Sequence, residues 1–236
     1  MQRYFGHIEA LEDISEVLWY ALKVCQEQGV VRQSYHFTPL FDSPTSLRTV
    51  VYADGYSKEW LELYDSAGFR SKDPIPQRVM THGQMLTWRE AKEMGPNTAD
   101  NIEFFEALEQ HGLVFGFGLP LYGPRGRNAY ASFDFGRPIA QVSEERLGIV
   151  RSVPQAAHQR VCMLLDTTRS LPELSEREQE VLQWIAQGKS FSVIADILDI
   201  SHDTVKTYAK RIYAKLGTSD RVGAVVKALK LGLVVA

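Results

Sequence analysis

The chain has 236 residues, 44% hydrophobic and 23% charged, with a net charge of −3. This is the balance of a globular protein of one large or two smaller domains. No apolar run approaches the roughly 20 residues that span a bilayer. Met1–Ala10 lacks the basic and apolar regions of a signal peptide. Cys25 and Cys162 have neither disulfide nor metal spacing. A cytoplasmic protein without membrane contact is the expectation.

Residues 10–28 fit a helix, with Ile14, Val17, Leu18, Ala21, Leu22 and Cys25 on one stripe and Gly29 after it. Leu47–Tyr52 is β-branched and apolar, hence strand-like. Tyr56–Ala67 is helical and carries Tyr56, Trp60 and Tyr64 at i, i+4 and i+8, on one face. Asp73-Pro74 predicts a helix start with Asp73 as N-cap. Residues 100–111 form a helix closed by Gly112. Leu113–Tyr122 and Ala129–Phe135 are strands joined by a Gly-Pro-Arg-Gly turn. Ser143–Leu165 is a long helix that Pro154 should bend. Strands flanked by helices predict an α+β fold: an α/β/α sandwich around an antiparallel sheet over residues 1–165.

Residues 166–174 are polar, contain Pro172 and read as a linker. Beyond them, over 175–236, four helices are expected. Ser175 and Glu178 make a capping box. The first helix ends at Gln187-Gly188, and Ser190 caps the second, with Phe191, Ile194, Ala195 and Leu198 on one stripe. Asp199-Ile200-Ser201 is a three-residue turn, and Ser201 caps the third. That helix buries Val205, Tyr208, Ala209, Ile212 and Leu216 and leaves Lys206, Thr207, Lys210 and Arg211 on other faces. The fourth, about 220–232, carries Val222, Val225, Val226 and Leu229. Residues 201–230 hold seven basic residues against two acidic ones. A basic helix held to its scaffold by an apolar stripe, after a short turn, is the layout of a helix-turn-helix reader of DNA. A three-helix bundle with a solvated basic face would share the charge pattern but not require the turn.

This end resembles the LuxR/GerE class of DNA-binding domains. The resemblance is carried by Leu174-Ser175-Glu176-Arg177-Glu178, Val181-Leu182, Gly188-Lys189-Ser190, Ile194-Ala195, Ile200-Ser201, Thr204-Val205-Lys206 and Lys215-Leu216. It implies that Lys206, Thr207 and Lys210 face bases while Lys189, Ser201, Thr204 and Arg211 lean on phosphates. Tyr208 replaces a residue that is often His in the class. In the family the fourth helix lies at a dimer contact.

Upstream, Tyr56, Trp60, Tyr64, Asp73, Trp88, Phe104-Phe105, Gly112–Gly116, Pro120 and Ser132 occur in the order of the autoinducer-binding domain of LuxR-type quorum-sensing regulators. That domain binds N-acyl-homoserine lactones. Taken singly, these residues read as core aromatics, an N-cap and a strand serine. The resemblance implies that Trp60 donates to the lactone carbonyl, Asp73 accepts from the amide N–H, and Tyr56 and Ser132 serve the acyl carbonyl. Tyr64, Trp88, Phe104 and Leu113 would wall the pocket. Ile75 stands where some relatives have a hydroxyl that recognises a 3-oxo group, which argues against a 3-oxo ligand. The implied protein is a homodimeric, ligand-responsive transcription factor on double-stranded inverted-repeat operators, meeting RNA polymerase if it activates. A regulator of the same architecture answering another small molecule, or none, is the alternative. No receiver layout, P-loop, G-x-S-x-G or H-E-x-x-H motif occurs, and His7, His36, His82, His111, His158 and His202 show no ligand spacing. No enzyme activity, cofactor or metal is expected.

Overall fold

In the computed structural model, which describes residues 2–38, 46, 48–167 and 171–234, the chain divides into two compact units, Met1–Thr167 and Thr168–Ala236. The first is built on a five-stranded antiparallel sheet. Its strands are β1 (Arg32–Phe37), β2 (Val50–Asp54), β3 (Leu86–Thr87), β4 (Phe117–Leu121) and β5 (Ala129–Asp134), in the spatial order β2-β1-β5-β4-β3. Because side chains alternate across a strand, each strand divides its residues between two helical layers. Tyr35, Phe117, Leu119, Ala131 and Phe133 meet α1 (Gln2–Ala10), α2 (Ile14–Glu27) and α8 (Glu144–Thr167) in one core. Tyr130 joins the other core, which is supplied by α3 (Lys58–Ser66), α4 (Phe69–Lys72), α5 (Ile75–His82), α6 (Trp88–Glu93) and α7 (Ala99–Gln110). The expected α/β/α sandwich is what forms.

Several boundaries differ from expectation. Residues 2–10 form a helix of their own, and Asp13 caps α2 by accepting from Glu16 N–H. Strand β1 was not legible: Arg-Gln-Ser-Tyr-His-Phe puts polar residues on both faces, so no apolar alternation shows. β2 runs Val50–Asp54, later than expected, and Leu47 lies outside the described residues. Tyr56 precedes the N-cap Ser57 of α3, so only Trp60 and Tyr64 share its helical face. Asp73 is not the N-cap of α5. Pro74 occupies that position, while Asp73 Oδ1 still accepts from Ile75 N–H at 2.8 Å. Helix α8 continues through Pro154 to Thr167, into the segment read as linker, of which 168–170 lie outside the described residues.

His158 of α8, fully buried, ties the layers together. Its Nδ1 meets the Tyr35 hydroxyl at 2.8 Å and its Nε2 lies 2.7 Å from the Arg127 carbonyl. With a carbonyl as partner Nε2 must carry the proton, so Nδ1 accepts from Tyr35. Burial lowers the pKa of this imidazole, and the neutral tautomer fits both bonds.

The second unit consists of α9 (Glu176–Ala186), α10 (Phe191–Leu198), α11 (His202–Leu216) and α12 (Arg221–Leu231). Every expected cap is present: the Ser175–Glu178 box, Ser190 on α10 and Ser201 on α11. Asp199 takes a left-handed φ of 52°, which turns the chain between α10 and α11. Val181, Leu182, Ile185, Ile194, Val205, Ala209, Ile212 and Leu216 fill the core, joined from α12 by Ala224 and Ala228. Val222 is instead 71% exposed, while Val225 and Leu229 pack at the edge.

Candidate functional site

A cavity of about 280 Å³ lies between one face of the sheet and helices α3–α7. Eight of the nine sensor residues named from the sequence line it: Tyr56, Trp60, Tyr64, Asp73, Ile75, Trp88, Phe104 and Ser132. Leu113 does not. It is buried in the same core but borders a neighbouring hollow behind Trp88 and Leu108.

Local structure fixes each polar group. Ser57 caps α3 through Trp60 N–H, and the α3 face then sets Trp60 against Phe69, Tyr64, Phe104 and His111, with ring centroids 5.3–6.4 Å apart. The Trp60 indole N–H makes no hydrogen bond among the described residues. Asp73 is held at the junction of α4 and α5. Asn101 of α7 donates to Lys72 O at 2.9 Å, and Lys72 pairs with Glu103 at 2.8 Å. Its Oδ1 takes the Ile75 N–H and its Oδ2 takes the Tyr64 hydroxyl at 3.2 Å. Burial still raises the Asp73 pKa to about 7, against the lowering effect of those bonds and of Arg78. A buried carboxyl that titrates near neutral pH gains from any further donor that reaches it, since such a donor favours its charged form.

On the sheet side, four groups form a chain. Tyr56 OH lies 3.2 Å from Ser132 Oγ, Ser132 Oγ 2.7 Å from Ser34 Oγ, and Ser34 Oγ 2.8 Å from His36 Nε2. Ser34 pairs with Ser132 across β1 and β5, and His36 with Tyr130 one step along. Sequence reasoning missed Ser34, His36, Arg70 and Tyr130, all of which line the cavity. The parity of β5 was the available signal: Tyr130 and Ser132 share a face, so whichever strand paired with β5 would bring its own alternate residues there. The cavity therefore has apolar walls, an unpaired indole donor, a carboxylate and a hydroxyl pair. It can hold a small amphiphile with carbonyl acceptors and an N–H donor.

In the second unit, α11 exposes Lys206, Thr207, Lys210 and Arg211, with Ser201 and Lys189 exposed nearby and Thr204 half-buried. Ser201 Oγ and Thr204 Oγ1 are 2.8 Å apart. Arg211 lies over the Tyr208 ring, 6.0 Å from its centroid. Three of the basic residues counted in this region are engaged elsewhere. Lys215 pairs with buried Glu178 at 2.6 Å, Arg221 donates to Ile185 O and Lys189 O, and Lys227 donates to Leu216 O and Gly217 O. The accessible basic surface is thus concentrated on α11, the helix that a helix-turn-helix presents to a groove.

A ligand cavity in one unit and a basic helix-turn-helix in the other define a ligand-sensing DNA-binding regulator. The autoinducer binding domain model matches residues 13–161, and the model for bacterial regulatory proteins of the luxR family matches residues 172–228. The chain belongs to the LuxR-type quorum-sensing transcription regulators, and is a regulator rather than an enzyme.

Among relatives, the HTH-type quorum sensing-dependent transcriptional regulator RpaR of Rhodopseudomonas palustris is 31% identical over 80% of this chain and 76% of its own. The transcriptional activator protein LuxR of Aliivibrio fischeri is 26% identical over 85% of this chain and 81% of its own. A putative HTH-type regulator y4qH of Sinorhizobium fredii is 31% identical over 78% of this chain, which spans 55% of that relative. The crystal structure of Escherichia coli SdiA has the same fold, with a TM-score of 0.72 and 24% identity, covering 100% of this chain and 98% of that one. Among the described residues no helix is long and apolar enough to cross a membrane.

Proposed function

We propose that the first unit binds an N-acyl-homoserine lactone and that the chain, as a cytoplasmic homodimer, reads an inverted-repeat operator. The observation that carries this reading is the convergence of the Trp60 N–H, the Asp73 carboxyl and the Tyr56–Ser132 hydroxyl pair on one apolar-walled cavity of about 280 Å³. That size is near the lower end of small-molecule sites. Trp60 donates to the lactone carbonyl, Asp73 accepts the amide N–H, and Tyr56 and Ser132 serve the acyl carbonyl. Tyr64, Ile75, Trp88 and Phe104 enclose the head and the start of the chain. Residues 1–165 act as the sensor, 166–174 as the linker and 175–236 as the DNA reader.

The lactone stabilises the state that holds it, by mass action. Helix α8 pairs protomers, and the two copies of α11 enter successive major grooves. Lys206, Thr207 and Lys210 meet base edges; Lys189, Ser201, Thr204 and Arg211 meet phosphates. An activating form would also touch RNA polymerase. Thermal unfolding across a panel of acyl-homoserine lactones tests the sensor reading. A rise in Tm with at least one lactone is expected, and a flat response across chain lengths counts against it.

A further inference from the structure

The turn between β4 and β5 grips helix α8 at three successive levels. His158, Cys162 and Asp166 stand four residues apart on α8, hence on one face of it. The Arg127 carbonyl accepts from His158 Nε2–H at 2.7 Å. Its guanidinium donates from Nη1 to the Cys162 carbonyl at 3.2 Å and from Nη2 to Asp166 Oδ1 at 2.5 Å. Arg125, from the same turn, donates to Asp166 Oδ2 at 3.2 Å. Arg127 is buried, and Asp166 is partly exposed. Turn and helix lie so close that a Cβ on Gly123 would overlap the Arg127 carbonyl and crowd Cys162 Sγ and His158 Nε2.

Arg125, Arg127, Cys162 and Asp166 lie outside the cavity lining, but the strands that carry the cavity's hydroxyls are the ones that hold α8. On β5, Tyr130 and Ser132 face the cavity, while Ala129 and Ala131 pack in the core that α8 shares. Arg127 precedes that strand by two residues. On β1, Ser34 and His36 face the cavity, and Tyr35 between them sends its hydroxyl to His158 Nδ1. β5 is paired on both sides, with β1 and with β4. A shift imposed on it is passed on rather than absorbed, because close-packed interiors transmit strain. Asp166 stands at the far end of this route. It lies in the last turn of α8, one residue before the first compact unit ends at Thr167.

Resting on the lactone reading, we propose that the Arg125–Asp166–Arg127 clamp couples the sensor to the DNA reader. Occupancy of the cavity sets the position of β5, β5 sets whether the clamp is closed, and the clamp fixes the end of α8 from which the linker leaves. Arg127 and Asp166 are positioning residues that act through α8. The turn has two arrangements. Arg125 holds a left-handed backbone, φ 59° and ψ 34°, which only glycine adopts without cost. Its ion pair with Asp166 offsets that cost, and on release Arg125 relaxes to an ordinary φ. A half-open clamp is disfavoured, because it would leave the Arg127 charge buried without its partner.

The test measures coupling in the full chain, as wild type, Arg127→Met and Asp166→Asn. Isothermal titration gives the Kd of N-butanoyl-, N-hexanoyl-, N-octanoyl- and N-dodecanoyl-homoserine lactone. Fluorescence anisotropy then gives the Kd of a duplex selected by the purified protein from a random pool, with and without the tightest of these lactones. In the wild type the lactone should change duplex affinity by about 5- to 150-fold, as allosteric couplings do. Both variants should bring that factor toward unity, while the lactone Kd of the free protein stays within about 2-fold, as for a distant site. A purely structural role would instead lower Tm and weaken both affinities, and leave the factor in place. Where Arg127→Met does not fold, Asp166→Asn decides, since it keeps the side-chain volume and removes only the shared charge. A wild-type factor of one, or a factor that survives in the folded variants, overturns this inference and leaves the lactone reading standing. Binding of none of the four lactones, or of no duplex, strikes both.

Discussion

Tyr64 on α3 and Asp73 at the junction of α4 and α5, nine residues apart, meet through a 3.2 Å hydrogen bond from the phenol to Oδ2. Asp73 Oδ1 meanwhile takes the Ile75 N–H. The carboxyl is thus aimed and buried before any ligand arrives, and its pKa stands at about 7 rather than 3.8. Between those values the unfolded chain releases the proton and the folded chain keeps it. Stability from this group is complete below about 3.8 and is lost as pH rises toward 7. His36, buried and neutral, acts in the opposite sense as pH falls below its ordinary value. The comparison that isolates Asp73 is therefore with Asp73→Asn. Urea midpoints of the variant should exceed those of the wild type increasingly from pH 4 to pH 7. A constant difference contradicts the burial argument.

Asp73→Ala should lower lactone affinity by about 10- to 100-fold, the effect of leaving one ligand N–H without a charged acceptor. Trp60→Phe removes the indole donor and keeps most of the ring packing, so about 10-fold is expected there. Isothermal titration of both variants against one lactone checks the assignment. Unchanged affinity in both rejects it.

Gly116 packs directly behind Trp88, one of the residues that line the cavity. A Cβ at this position would overlap the buried Trp88 ring. Gly116→Ala should cost about 1–3 kcal/mol of stability, and, by displacing Trp88, weaken the lactone as well. Denaturant unfolding alongside ligand titration separates the two effects.

How much of this was legible depended on whether a signal was local. The Ser175–Glu178 box, Ser190, Ser201 and the α11 stripe are read within four residues of themselves, and the structure keeps all of them. Trp60, Asp73 and Ser132 were recognised by their order along the chain. Ser34, His36 and Arg70 were not, because their role depends on which strand pairs with β5 and on where α4 is anchored. Both are consequences of tertiary pairing that no periodicity records. The basic count overstated the DNA face for the same reason: Lys215 and Lys227 are consumed by contacts with Glu178 and with the end of α11.

On α11, Lys206 and Lys210 are exposed, and the contact of Lys206 with Asp203 at 3.9 Å is too solvated to hold it. Lys206→Ala or Lys210→Ala should cost about 1–3 kcal/mol of specific operator binding. Arg211→Ala should weaken all sequences alike and flatten the salt dependence. Fluorescence anisotropy with operator and random duplexes, at several salt concentrations, distinguishes base readout from phosphate contact. No loss in either Lys variant removes α11 from the groove.

The most direct measurement is the mass of the small molecule that copurifies with the full chain from cells supplied with a mixture of acyl-homoserine lactones. An intact lactone in near-equimolar amount, absent from the Asp73→Ala protein purified in parallel, is the expected result. A wild-type protein that is folded and carries no lactone would contradict the proposed occupant of the cavity.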